Sequence, residues 1–411
     1  MAGIGIDGTR LWDSLMAMAE IGATPGGGSG RLALTDLDRQ ARDLFVDWCE
    51  AAGCQVRIDR MGNIFARRAG TDDTLPPVMT GSHLDTQPLG GRFDGVYGVL
   101  AGLEVVRALN DAGVATRAPL DVVVWTDEEG ARFKAGIMGS GVFAGLQDLE
   151  AALANPDGDG RTMGQELERI GYAGTAPLGT PVAAFLEAHI EQGPRLEAEG
   201  KTIGVVLGGQ GQRCFRVTVT GAEGHAGTLP MDRRRDALLG AARMIDAVNL
   251  VAFRHQPQPV ITVGRLEVRP NSPNTVPGQA VFTIDSRHPD DHALAAVAED
   301  LRGVCARVAA DAGLDLAIEA TTERGAVAFD GELVADLRAA AERLGLAQRD
   351  IYSGAGHDAC NLVGVAPTAM IFVPCEGGIS HNEAENAKPE DLAAGCEVLL
   401  QVLVARAGVA G

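Results

Sequence analysis

Residues 78–100 read VMTGSHLDTQPLGGRFDGVYGVL. An apolar run, Val78 to Thr80, gives way at Gly81-Ser82 to a polar, glycine-rich loop. From Val96 onward, Leu100, Leu103, Val106 and Leu109 recur at helical spacing. The pattern predicts a strand, a loop and a helix, with His83, Asp85 and Asp94 gathered at the carboxyl end of the strand. Open α/β sheets bind ligands at that end. An imidazole, a carboxylate, and a second carboxylate two residues on that can orient the imidazole suit a metal site. An ordinary polar loop over a sheet is the competing reading of this stretch taken alone.

The motif repeats further along. Leu120 to Trp125 (LDVVVW) is a nearly unbroken β-branched and apolar run, as in strands of parallel sheets buried on both faces. It ends in Thr126-Asp127-Glu128-Glu129-Gly130. Ala183 to Ala188 is a third apolar run and ends at His189-Ile190-Glu191-Gln192-Gly193-Pro194. Three strands of one sheet are therefore expected to end in potential ligands. A fourth strand, Thr368–Val373, leads into the loop PCEGGISHNEAEN, which contains His381.

Upstream, Leu11 to Met18 is amphipathic. The loop GATPGGGSG (residues 22–30) lacks the GK[ST] ending of a phosphate cradle and follows no strand, so it reads as a flexible loop. Asp36 to Ala52 is a helix with Leu37, Ala41, Leu44, Phe45 and Trp48 on one face, stopped by Gly53. Gln55–Asp59 and Asn63–Arg68 are strands around a Met61-Gly62 turn. Residues 131–180 read as mostly loop, with one helix near Gly164–Ile170.

The composition then changes. Cys214 to Thr220 alternates apolar and polar residues, like a strand with one exposed face. Helix Asp232–Val251, strands Val260–Val268 and Ala280–Arg287, helix Pro289–Ala312 and strand Leu314–Ala320 follow. The order β-α-β-β-α-β is ferredoxin-like. Residues 214–330 are thus expected to be a small domain inserted into a larger one made of 1–213 and 331–411. Helix Leu333–Leu344, the loop SGAGHDA and a last helix, Pro389–Ala405, complete the chain.

Composition limits the function. Of 411 residues, 46% are hydrophobic but only 4% aromatic, so the core is expected to be built from Ala, Val and Leu. Lys+Arg 35 against Asp+Glu 55 gives a net charge of −20, which argues against a nucleic-acid partner held through phosphates. No stretch approaches the roughly 20 apolar residues of a membrane span. The N-terminus lacks the basic start and continuous apolar core of a signal peptide. The seven cysteines are scattered with no CxxC pair, as in reduced, mostly buried thiols. A cytoplasmic protein with no membrane partner is expected.

Two divalent metals sharing one carboxylate need about five protein groups and one free base, and leave room for a bridging water of depressed pKa. The strand-end loops supply that set. His83 and His381 are candidate terminal imidazoles, Asp94 the candidate bridge, and His189 completes the second ion. Of Glu128-Glu129, one can coordinate while the other stays free as general base. Asp85 is expected to hold the far nitrogen of His83. The coincidence carries the reading: three of the eight histidines (83, 189, 381) lie at or just beyond apolar runs. SGAGHD is too compact for a Ser-His-Asp triad, and no GxSxG elbow is present.

The series GSHLDTQPLGGRFDG, WTDEEGARF, FLEAHIEQGP, GAEGHAGT, PNTVPG, DSRHP, SGAGHDA and ISHNEAE resembles the amidase/hydantoinase/carbamoylase branch of the M20 metallopeptidase clan. That branch contains N-carbamoyl-L-amino acid amidohydrolases, β-ureidopropionases and allantoate amidohydrolases. The resemblance runs along nearly the whole chain. It implies an α/β, mixed-sheet catalytic domain with two metals on His83, Asp94, Glu129, His189 and His381, and Glu128 as general base. It makes the 214–330 insertion a lid and dimerisation domain. FLEAHIEQGP offers both Glu187 and His189. The branch uses the His, which leaves Glu187 a structural role.

The remaining site residues have physical roles to fill. Arg287, at a strand end, can make a bidentate pair with a substrate carboxylate, and Asn274 can offer an amide to the carboxylate or ureido group. His225, flanked by glycines, can stabilise a developing oxyanion. The resemblance implies that it is supplied across a homodimer. Gln192 is expected to contact the ureido or carboxylate end of the substrate. Gly354 to His357, including Gly356, is expected to form a backbone-lined wall.

The expected reaction is metal-assisted hydrolysis of a small ureido substrate, an N-carbamoyl-L-amino acid, with Zn, Mn, Co or Ni. Allantoate or β-ureidopropionate hydrolysis, M20 aminoacylase or dipeptidase activity, and a non-catalytic binding protein are the alternatives.

Overall fold

A computed structural model describes residues 4–133 and 135–410. The chain forms two compact units, Met1–Gly208 with Ala328–Gly411, and Gly209–Val327. These limits fall a few residues before the expected 213/214 and 330/331, because the first strand of the smaller unit already begins at Gly211.

The larger unit is built on a mixed nine-stranded sheet. Its strands are β1 (Gln55–Ile58), β2 (Ile64–Arg68), β3 (Val78–His83), β4 (Leu120–Trp125), β5 (Ala184–Ile190), β6 (Ile203–Gly209), β7 (Val327–Ala328), β8 (Gln348–Ser353) and β9 (Thr368–Val373). They run in the order β1-β2-β4-β3-β5-β9-β6-β7, with β8 beside β6. The central strands β4, β3, β5 and β9 are parallel, and β2 and β6 flank them antiparallel. Every residue of the four parallel strands is buried, as their unbroken apolar runs require.

Because β4 lies on one side of β3 and β5 on the other, the sheet changes direction at β3, the kind of switch point where a crevice opens at the carboxyl ends. Pairing of β3 with β5 stops at Thr80 and Leu186, although both strands continue. Helix Val96–Asp111 comes close to this gap. A Cβ on its Gly98 would stand 2.3 Å from the Ala188 carbonyl oxygen, so only glycine permits that approach.

Helix Asp36–Ala51 pins the end of β4. Its fully buried Asp38–Arg42 ion pair (2.8 Å) extends through the guanidinium to the Gly62 carbonyl and Thr126 Oγ1. Asn63 Oδ1 takes the Thr126 N–H as well.

In the smaller unit, strand Gly211–Thr220 lies between Gln279–His288 and Asp315–Arg324, both antiparallel to it. Val260–Thr262 and Leu266–Arg269 share the far edge of Gln279–His288. Helices Ala237–Val251 and Asp291–Asp311 pack through Ala241, Met244, Leu301 and Cys305 onto Phe215, Val217, Phe282 and Ile284. This is the ferredoxin-like arrangement.

Several elements differ from expectation. The single strand 260–268 is broken. Thr262 opposes Asp285 but Leu266 opposes Phe282, so one extra residue bulges near Gly264. Residues 131–180 hold Met138–Phe143 and Leu149–Leu153 besides Met163–Ile170, and one or two turns show no apolar period. β6 is glycine-rich, and β8 buries only Ile351 and Ser353, so neither announces a strand. All seven cysteines are unpaired and mostly buried. No helix among the described residues is long and apolar enough to cross a membrane.

Candidate active site

The carboxyl ends of β3, β4, β5 and β9 converge on one carboxylate, Asp94. His83 is the last residue of β3. Its Nδ1 lies 2.8 Å from the Asp85 carbonyl oxygen, which commits that nitrogen as a donor and turns Nε2 inward. His189 is oriented the same way, with Nδ1 2.9 Å from the Ile190 carbonyl. Their Nε2 atoms lie 3.7 and 3.1 Å from Asp94 Oδ1. His381, in the loop after β9, places Nε2 3.4 Å from Asp94 Oδ2 and 3.3 Å from Glu129 Oε2.

Besides a group of Glu187, His189 and His357, two ligand sets result, His83–Asp94–His189 and Asp94–Glu129–His381, and within each the donor atoms lie within 4.8 Å of one another. Asp94 belongs to both. Nitrogen and carboxylate donors around a shared carboxylate fit a pair of divalent cations.

The electrostatics call for cations. The hydrogen bond to Asp94 raises His381 to about 9 against the opposing effect of burial. For His189 burial opposes the charge, but Asp94 still raises it to about 9. Burial alone would push Asp94 up, yet His189 and His381 hold it well below the usual carboxylate range. The carboxylates thus favour a proton on the neighbouring imidazole nitrogens, which a bound cation would replace.

The geometry separates the adjacent glutamates. Glu129 belongs to a ligand set, and Gln87 Nε2 donates to its Oε2 at 2.8 Å. Glu128 belongs to neither set but brings Oε2 to 3.6 Å from His83 Nε2. Burial, then Asp358, Glu129 and Asp94, push its carboxyl well above the usual range. The preceding Asp127 has a left-handed backbone (φ 57°), as do Gln192 and His381. Non-glycine residues in this region cost about 1–3 kcal/mol each and persist where surrounding contacts impose them.

Asp85 acts differently from expectation. Its backbone carbonyl, not its carboxylate, meets His83 Nδ1. The carboxylate is 4.0 Å from that nitrogen and instead accepts the N–H groups of Glu128 (3.4 Å) and Glu129 (3.2 Å). Asp85 thus joins the β3 ligand to the glutamate pair after β4.

Within the glycine-rich loop, Gly91 packs against a carboxylate. A Cβ on Gly91 would stand within 1.9 to 2.3 Å of the Glu385 carboxyl atoms. The residue is glycine because a buried carboxylate occupies that space. Likewise GATPGGGSG is docked rather than flexible: Ser29 and Gly90 exchange backbone hydrogen bonds, and the Gly26 N–H donates to Glu383.

Gln192 Nε2 donates to Asp94 Oδ2 (2.8 Å) and Ser380 Oγ (3.1 Å), while its buried Oε1 has no partner. Glu187 accepts from Ser82 Oγ (2.6 Å) and the Ala359 N–H (2.9 Å), a bracing position between β3, β5 and the helix after His357. His357 itself is buried, bonded to Ser353 Oγ at 2.9 Å, with its ring 4.6 Å from that of His189. Burial, reinforced by His189, keeps it neutral. Gly356 beside it is exposed. Sequence reasoning missed Gln87, Ser380 and Glu385. The available cue was the nearness of Ser380 and Glu385 to His381 in ISHNEAE.

In the smaller unit, His225 and Asn274 are neighbours. Gly224–His225 pairs with Thr275–Val276, and the Ala226 N–H donates to the Asn274 carbonyl. Both side chains are on exposed residues. His225 Nδ1 accepts the Gly227 N–H at 3.0 Å, which leaves Nε2 to act as a donor. Arg287 is at the other end of strand Gln279–His288, opposite Gln212, whereas Gln279 opposes Thr220 next to the His225 turn. That length of strand spans about 25–30 Å. Arg287 grips Asp285 through two bonds of 3.1 Å.

The chain is similar to known proteins along nearly its whole length. The model of peptidase family M20/M25/M40 matches residues 79–405. An N-carbamoyl-L-amino-acid amidohydrolase of Rhizobium meliloti is 48% identical over 405 residues, covering 98% of this chain and 97% of that protein. An allantoate amidohydrolase of Escherichia coli is 37% identical, covering 95% and 96%. The crystal structure of an amidase of the hydantoinase/carbamoylase family from Burkholderia multivorans is 58% identical with a TM-score of 0.95, covering 98% of each chain. The chain belongs to the M20 peptidase family, in its hydantoinase/carbamoylase amidohydrolase branch.

Proposed function

We propose that this chain hydrolyses N-carbamoyl-L-amino acids at the ureido C–N bond. One water is consumed, and the amino acid, ammonia and carbon dioxide are released. The observation that carries the hydrolytic reading is Glu128, a buried carboxyl with Oε2 3.6 Å from His83 Nε2 that lies outside both of the ligand sets sharing Asp94. The 48% identity to a carbamoylase, against 37% to an allantoate enzyme, supports the substrate class.

His83, Asp94 and His189 would hold one divalent ion, and Asp94, Glu129 and His381 the other. Such a pair supplies Lewis acidity and a water of lowered pKa. Glu128 takes the proton of the attacking water and returns it to the leaving amine nitrogen. His225 stabilises the oxyanion, and Arg287 and Asn274 recognise the substrate carboxylate, with Arg287 shared with Asp285.

Gln192 supports a ureido over an acyl substrate. The Asp94 carboxylate can only accept, so the amide nitrogen must face it, and both its hydrogens are used there and on Ser380. The remaining Oε1 needs a donor. A carbamoyl NH₂ provides one and an acetyl group does not.

The distance between Arg287 and the His225–Asn274 turn supports a homodimer. One copy of the small unit presents these groups at opposite ends, so a site that uses both draws on two copies. Allantoate or β-ureidopropionate is the second reading, favoured by the allantoate amidohydrolases among the relatives. A panel of N-carbamoyl-α-amino acids, β-ureidopropionate, allantoate and N-acetyl amino acids, with added Mn or Zn, tests the choice. Fastest turnover of the N-carbamoyl-α-amino acids is expected, and preference for any other member overturns the substrate assignment.

A further inference from the structure

Glu385 is buried, yet the proposed reaction leaves it without a role. Its Oε1 accepts the backbone N–H groups of Phe93 (3.0 Å) and Asp94 (3.1 Å). Its Oε2 lies 3.1 Å from Ser380 Oγ, and that hydroxyl is 3.2 Å from Asp94 Oδ2. One carboxylate therefore fixes the main chain of the shared ligand and holds Ser380, beside His381, whose single hydroxyl proton goes to Glu385 Oε2 or to Asp94 Oδ2. Arg92 adds a bond to Asn386 (2.8 Å), so the loops carrying Asp94 and His381 are joined on both sides of Glu385. Gly91 leaves the space that the carboxylate fills.

The two ligand sets depend on this junction unequally. His83 and His189 lie within β3 and β5 and are held by the sheet. His381 lies in a loop, is exposed, and has a left-handed backbone. Its distance from Asp94 is set by whatever ties the two loops together.

We infer that Glu385 is a positioning residue that builds the Asp94–Glu129–His381 ion site by clamping the Asp94 and His381 loops together. The inference rests on the two-ion reading above. Three hydrogen bonds make the clamp, two from main-chain N–H groups to Oε1 and one, of either direction, between the second carboxyl position and Ser380 Oγ, and the ionic charge is incidental. A glutamine can reproduce the contacts, with Oε1 accepting both N–H groups and Nε2 donating to Ser380 Oγ.

The test is calorimetric titration of metal-stripped full-length protein with Mn²⁺ and, separately, Zn²⁺. Wild type is expected to bind two ions per chain. Glu385→Ala is expected to weaken the ion on Asp94, Glu129 and His381 (here the second ion) by about 10–100-fold, the usual effect of losing a group that orients a ligand, and to change the ion on His83, Asp94 and His189 (the first) far less. Glu385→Gln is expected to restore the wild-type isotherm. Gly91→Ala, whose methyl group displaces the carboxylate while leaving Glu385 in place, is expected to resemble Glu385→Ala, and it carries the test if Glu385→Ala fails to fold by circular dichroism. An unchanged second ion in Gly91→Ala or Glu385→Ala overturns the inference, and so does an equal loss of both ions. A glutamine variant as defective as the alanine variant overturns the hydrogen-bond account. A wild type that binds no ion refutes the two-ion reading itself and this assignment with it.

Discussion

Gly95 follows the shared carboxylate and touches the first imidazole, so Gly95→Ala perturbs the centre by one methyl group. A Cβ at this position would lie 2.4 Å from His83 Cε1 and Nε2 and 2.5 Å from Cδ2. An ordinary contact begins near 3.4 Å, so the ring must retreat by about 1 Å or the Asp94–Gly95 backbone must move as far. The imidazole has little room to do so, because its Nδ1 is held by the Asp85 carbonyl and its residue ends a fully buried strand. The backbone at Gly95 (φ 69°, ψ −48°) is a γ-turn of the positive-φ kind, closed by the Val96 N–H on the Asp94 carbonyl (2.8 Å), a strained conformation that adds about 1–3 kcal/mol for a residue with a Cβ. A displacement of 1 Å at a reacting centre costs on the order of 100-fold in rate. The variant is therefore expected to fold with a modestly lower melting temperature and lose about 100-fold in kcat. It is also expected to bind its first ion more weakly. Steady-state ammonia release with metal titration measures this. A kcat within threefold of wild type with an unchanged first ion would refute the reasoning.

Three further outcomes are expected. Glu128→Gln keeps the size and both ligand sets but cannot carry the proton, so two ions remain bound while turnover falls by orders of magnitude; metal analysis beside kcat checks this, and near-normal turnover would exclude Glu128 as base. Gln192→Leu removes the acceptor intended for the carbamoyl NH₂, so the ratio of kcat/KM for N-carbamoyl over N-acetyl substrates is expected to fall by at least tenfold. An unchanged ratio would mean that Gln192 does not read that group. Co-expressed, differently tagged Glu128→Gln and His225→Ala chains are expected to regain about half of wild-type activity per mixed dimer if His225 acts across the dimer. No recovery would place it in its own subunit's site.

The central strands are legible in sequence because burial on both faces demands unbroken apolar runs, as in Leu120–Trp125. The ligands follow because a His or carboxylate directly after such a run must emerge at the sheet's carboxyl edge. The small unit's order of elements is legible from alternation and helical spacing. What remained hidden has physical causes. β8 buries too few residues to show a pattern, and Met138–Phe143 is too short for a period. The Asp85 carbonyl and carboxylate are the same letter in a sequence, and only coordinates show which oxygen meets His83. Gly91 looks like flexibility until the Glu385 carboxylate is seen beside it. The spacing of Glu385 from Asp94 along the chain conceals their contact.

The two shared ligand sets are tested most directly by counting ions against turnover in one preparation. Metal-stripped protein is titrated with Mn²⁺ or Zn²⁺ while bound metal and ammonia release from an N-carbamoyl-L-amino acid are measured together. Activity is expected to appear with metal and reach its plateau at two ions per chain. Full activity in the metal-stripped protein, or a plateau at one ion, would contradict the account.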